Sequence, residues 1–202
     1  MSGAKRMPRP LTAEEYLTIE RDVPFKSEFL RGKIYAKAGG TTNHIKIISN
    51  TNTHISNQLE ETNCFSLPTE MKVRTLGAGF FSYPDITIVC GAEQYHDARR
   101  DVLLNPIALV EVLSPSSEVF DRGEKFQLYQ ELESLRDYVL ISQDAPRIEH
   151  YARQENGLWL PTVAVGLTSS ISLSAIAVTL SLAKVYARIV FPPSLSLEAG
   201  GE

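Results

Sequence analysis

Apolar and polar positions along the chain change their period several times, and each change marks an element. Thr12-Ala13-Glu14-Glu15 has the form of a capping box, with Thr12 as N-cap and Glu15 at N3, so a short helix is expected through residue 19. Residues 25–36 read as a β-hairpin around Arg31-Gly32, anchored by Phe29 or Leu30 and by Ile34. Over residues 42–60, Ile45, Ile48, Asn52, Ile55 and Leu59 recur at steps of three and four, which predicts a helix with one mostly apolar face. Residues 65–75 are strand-like, 77–79 form a turn, and 85–90 are a strand. A polar loop, 91–106, leads to a strand over 108–113 that is apolar except for Glu111, the pattern of a strand covered on both faces.

After Ser114-Pro115-Ser116-Ser117, Asp121 and Glu124 have the spacing of a second capping box, which predicts a helix from about 122 to 135. Residues 137–142, 147–152 and 158–165 read as strands, the last pair joined at Asn156-Gly157. Residues 179–189 read as a closing helix. This order of elements predicts an α/β domain with a mixed sheet flanked by helices and further C-terminal strands. The expected organisation is a flexible segment over 1–11, one domain over 12–191 and a tail over 192–202.

Composition adds limits. With 202 residues, 43% apolar and 22% charged, the chain is long enough to bury a core without metal or disulfide support. The net charge is −4, and even the first 125 residues, which hold most of the basic side chains, are nearly neutral. That argues against a constitutive nucleic-acid coat protein but leaves room for a local basic groove. Cys64 and Cys90 lie outside any CxxC spacing and read as reduced, buried thiols of a cytosolic protein. No signal peptide opens the chain, and the most apolar stretch, 171–191, is broken by serines, Lys184 and Arg188, so no membrane contact is expected.

The candidate chemistry lies between Tyr83 and Lys125. Asp85 and Glu111 each place a carboxylate in a short apolar strand, where an unpartnered charge costs several kcal/mol. If the two strands pair, both acids converge at one end of the sheet, an oxygen-rich site suited to Mg²⁺. On the helix that follows, Asp121, Lys125, Leu128, Leu132 and Leu135 share one stripe, so Lys125 faces inward where a leucine is the ordinary choice. Such a lysine meets an acid, a phosphate or a metal-bound water. The bland alternatives are an ion pair between Glu111 and Lys125, Asp121 as an N-cap, Glu28 as an exposed hairpin acid, His44 as a helix-opening cap, His54 as solvated, and Tyr83 and Tyr129 as packing residues. Glu70-Met71-Lys72 also matches ExK but precedes Asp85, the wrong order.

Tyr83-Pro84-Asp85, Glu111-Val112-Leu113-Ser114-Pro115, Asp121 through Lys125 and Asp137-Tyr138-Val139-Leu140 together resemble the PD-(D/E)xK restriction-endonuclease-like superfamily, and within it the Uma-two type of bacterial endonucleases. The early Glu28-Phe29-Leu30-Arg31-Gly32-Lys33-Ile34 hairpin and His44 belong to the same resemblance. It implies a hydrolase that cleaves DNA phosphodiesters with Mg²⁺ or Mn²⁺. By position, Asp85, Glu111 and the Val112 carbonyl would hold the metal, Lys125 would assist catalysis, and Glu28, His44 and Asp121 would form an outer set. One departure stands out: the lysine expected two residues after Glu111 is Leu113, and Lys125 would replace it. The competing reading is a non-cleaving binding or regulatory protein on the same fold, its acid–lysine cluster structural. A homodimer is compatible with cutting both strands of DNA, and the expected location is cytoplasmic.

Overall fold

The computed structural model describes residues 9–37, 39–77 and 79–191. The elements run α1 (Ala13–Asp22), β1 (Ser27–Leu30), β2 (Lys33–Ala36), α2 (Thr42–Leu59), β3 (Cys64–Pro68), β4 (Lys72–Arg74), β5 (Phe81–Ser82) and β6 (Ile86–Cys90). They continue with β7 (Val102–Leu103), β8 (Ala108–Leu113), α3 (Glu118–Arg122), α4 (Glu124–Tyr129), β9 (Asp137–Ser142), β10 (Arg147–Arg153), β11 (Trp159–Val165), β12 (Ser170–Leu173), β13 (Val178–Ser181) and α5 (Leu182–Val185). The flexible segment expected over 1–11 and the tail over 192–202 fall outside the described residues, apart from 9–11. There Arg9 pairs with Glu15, and Leu11 N donates to Gly32 O at 3.1 Å.

A six-stranded sheet has the order β11-β10-β9-β8-β6-β3, and a second sheet has the order β2-β1-β5-β4-β7. In the larger sheet β8 and β9 are parallel and β6 and β8 antiparallel, so the sheet is mixed. One face buries Ile86, Ile88, Val110, Val112, Val139 and Ile141 against α2 and the β12–β13 hairpin. The other buries Leu109, Leu113, Tyr138 and Leu140 against α4. Strand β8 is thus covered on both faces, and Glu111 lies among the α4-facing residues. Tyr16, Leu17, Phe29, Phe81 and Val102 form a third cluster under α1.

Several expectations are corrected. The helix expected over 122–135 is two short helices broken at Gly123, followed from Gln130 by turns closed by Leu132 N to Tyr129 O and Leu135 N to Leu132 O. The predicted stripe survives the break, because Asp121, Lys125, Leu128, Leu132 and Leu135 are all buried. Asp121 lies inside α3 and caps nothing.

The closing helix over 179–189 is absent. Val178 and Leu180 point inward with Thr179 outward, the period of a strand, and only Leu182–Val185 are helical. Gln58 of α2 stabilises that strand by exchanging two bonds with the Thr179 backbone, at 3.1 and 3.0 Å, as a neighbouring strand would. The region 65–75 splits between the two sheets. Cys64 and Cys90 stand opposite each other on β3 and β6 and are joined as a disulfide, not reduced. Spacing in sequence carries no information about that register.

Candidate active site

Asp85 precedes β6 at the point where its pairing with β8 ends. The register Ile86↔Val110 sets residue 85 beside residue 111, so the two acids share one face. Pro84 offers no N–H to continue the ladder. Instead the Asp85 carboxylate accepts the Val112 N–H at 2.8 Å, in place of a strand partner's carbonyl. Its other contacts are Lys37 Nζ at 3.2 Å and His44 Nε2 at 3.5 Å. Burial pushes the Asp85 carboxyl up, but His44, Lys37 and the Val112 amide outweigh it and hold the group below the ordinary carboxylate range.

Glu111 is 3% exposed. Its Oε1 meets Lys125 Nζ at 2.9 Å and accepts the Tyr129 hydroxyl at 3.0 Å, and that hydroxyl also meets Ser82 Oγ at 2.9 Å. Burial pushes the Glu111 carboxyl up, with Asp121 and Asp85 adding to the effect, and Lys125 only partly counters it. Lys125 Nζ lies 3.3 Å from Glu28 Oε1 and 3.2 Å from Asp121 Oδ1 as well. Burial alone would lower this ammonium, yet the acids around it raise it well above the usual lysine value and keep it charged. The break at Gly123 leaves Asp121 and Lys125 on one side, and Tyr138 Oη fixes the Asp121 carbonyl at 2.9 Å.

The structure therefore brings Asp85, Glu111, Val112, Lys125, Glu28, His44 and Asp121 to one cavity of about 740 Å³. Sequence reasoning missed Lys37, which lines this cavity, and Tyr129, whose hydroxyl bonds Glu111 from behind it. Lys37 follows β2 in a polar stretch where nothing marks it. Tyr129 lies next to an apolar stripe, which is silent about where a hydroxyl points. Three other readings change. The cap of α2 is Thr41, whose hydroxyl accepts His44 N at 3.1 Å, so His44 is free to face Asp85. His54 is part-buried, with Nε2 3.3 Å from Ser181 N, and burial lowers its pKa. Tyr83 bonds Glu20 at 2.8 Å. In the ExK stretch, Lys72 points to Asp101 in the other sheet, away from the cavity.

A cation fits this donor set in a limited way. Among the described residues, no three His, Cys, Asp or Glu side chains gather to hold an ion unaided. Two carboxylates with carbonyl and water ligands are nevertheless the ordinary set for Mg²⁺. Glu28 Oε1 and Asp121 Oδ1 are buried at this cavity with no hydrogen bond beyond their ion pairs to Lys125, and His44 Nδ1 is buried with none, which leaves polar atoms for bound water.

A family model described as "Uma2: Putative restriction endonuclease" matches residues 13–184. The chain belongs to the Uma2 family. Two uncharacterized Synechocystis proteins are similar to this Uma2 chain. The protein slr1290 is 30% identical over 181 residues, covering 90% of this chain and 94% of its own. The protein sll1609 is 30% identical over 164 residues, covering 81% and 93%. A crystal structure of a putative nuclease belonging to DUF820 from Anabaena variabilis superposes with a TM-score of 0.72 at 19% identity, over 90% of this chain and all of that one. The Uma2 chain thus has a nuclease-like fold. Among its described residues no helix is long and apolar enough to cross a membrane.

Proposed function

We propose that this Uma2 chain is a cytoplasmic metal-dependent endonuclease that hydrolyses DNA phosphodiester bonds with Mg²⁺ or Mn²⁺. The observation that carries the reading is the placement of Asp85 and Glu111 side by side on antiparallel strands, with the Lys125 ammonium on Glu111, at the wall of one cavity. Asp85, Glu111 and the Val112 carbonyl are the proposed ligands. The bound ion would supply Lewis-acid polarisation of the phosphate and a more acidic water. Lys125, held charged by its acids, stabilises negative charge building on the phosphate. Leu113 shares the Glu111 face but is packed in the apolar cluster of α4, so a lysine there would be buried among leucines and aromatics. Lys125 brings the charge in from the helix side instead. Lys37 orients Asp85. Glu28, His44 and Asp121 would hold water beside a bound ion.

The test is nicking of supercoiled plasmid with Mn²⁺. Wild type should cleave, and Asp85→Ala and Glu111→Gln should fall to the protein-free background. Equal residual cleavage by all three removes the catalytic claim. A second reading draws on the same network: Glu111 already has both Lys125 and Tyr129, as a purely structural cluster would. Calorimetry with Mn²⁺ separates the two, since a non-cleaving binding protein of that kind gives no heat.

A further inference from the structure

Resting on the nuclease reading above, we propose that the outer wall of the cavity takes an unpaired nucleobase on Tyr35, so that the preferred DNA is single-stranded or locally opened. The hairpin alternates, sending Phe29 into the α1 cluster while Glu28 and Leu30 line the cavity. Its register pairs Glu28 with Tyr35 and Leu30 with Lys33. Tyr35 and Lys33 therefore stand on the same face as Glu28, whose carboxylate is 3.3 Å from Lys125. The Tyr35 ring lines the cavity yet is 50% exposed, and among the described residues no aromatic ring or cation packs on it.

Leu30, Phe80 and Phe120 add an apolar surface to a cavity whose chemistry is otherwise acid and lysine. Phosphate has no use for such a wall, whereas the flat face of a base does. Asp85, Glu111 and Lys125 are nearly fully buried, so a phosphodiester reaching them has to leave the surface of a paired duplex. Charge does not supply the binding either. Glu28, Asp85, Glu111, Asp121 and Glu124 outnumber Lys37 and Lys125 along the lining. Stacking on Tyr35 offsets that deficit, and the exposed Lys33, about 7 Å further along the strand, meets the next phosphate.

The experiment is fluorescence anisotropy of the full chain with a labelled single strand of about 12 nucleotides and with its duplex, without added metal and with Ca²⁺. The single strand should bind about tenfold tighter or better. Tyr35→Ala should lose about tenfold on the single strand and little on the duplex, Tyr35→Trp should retain binding, and unchanged urea midpoints should show that both variants fold. Equal affinity for both DNAs with no effect of Tyr35→Ala overturns the inference. The nuclease reading survives that result if Mn²⁺ nicking still depends on Asp85. Tighter binding of an RNA strand of the same sequence overturns the assignment to DNA. No binding to either DNA, together with no nicking, overturns both.

Discussion

A single hydroxyl ties the acid of β8 to the sheet beneath it. Tyr129 Oη reaches both Glu111 and Ser82, inside a region closed to water. Tyr129→Phe leaves a buried carboxylate one donor short and should lower stability by about 1–3 kcal/mol, read as a reduced urea midpoint. An unchanged midpoint would mean that the hydroxyl adds nothing to the network. Asp85, Glu111 and Lys125 were legible as candidates because a charge in an apolar run breaks its pattern. Tyr129 and Lys37 break no pattern, so only coordinates reveal them. His44 was named through the resemblance, but the helix itself could have placed it at the site. The buried face of α2 runs through Thr51 and Ile48, and one turn earlier on that face stands His44, while Ile45 is 59% exposed. Choosing the isoleucine over the phase of the helix left the histidine to be named by the resemblance alone.

Among the elements, the hairpin that carries Glu28 depends on its turn. Arg31 and Gly32 both have positive φ, 50° and 80°, the conformation of a tight two-residue turn. A methyl group on Gly32 would also collide with Pro10. Gly32→Ala should therefore cost about 1–3 kcal/mol and reduce nicking as Glu28 is displaced, measured by urea denaturation and the plasmid assay. Wild-type values in both would show that the turn tolerates the change. The hairpin, α1, β8 and the strands β9 to β11 were readable because turn chemistry and apolar period agree. The α3–α4 break and the C-terminal strand were not. At Gly123 an inward stripe continues across two helices, and near Thr179 a side-chain amide from α2 decides the outcome. Both are tertiary effects that override local period.

For the molecule as a whole, the large sheet is clamped at the end opposite the cavity. The Cys64–Cys90 disulfide joins β3 to β6 at the far end of the strand that Asp85 precedes. It closes a loop with a sequence separation of 26, so reduction or Cys64→Ser should lower stability by about 2–4 kcal/mol. Alkylation of the native chain followed by mass measurement checks the premise, because no thiol should react before reduction. Thiols that react at once would restore the reduced pair expected from sequence.

The Val112 amide gives the cavity a further property. One oxygen of Asp85 does the work of a missing strand neighbour, so the acid belongs to the architecture before it belongs to any reaction. A descendant that had lost cleavage altogether would be under pressure to retain it. An aspartate at this place is thus a signature of the scaffold, and activity has to be judged from the other carboxylate and its ammonium.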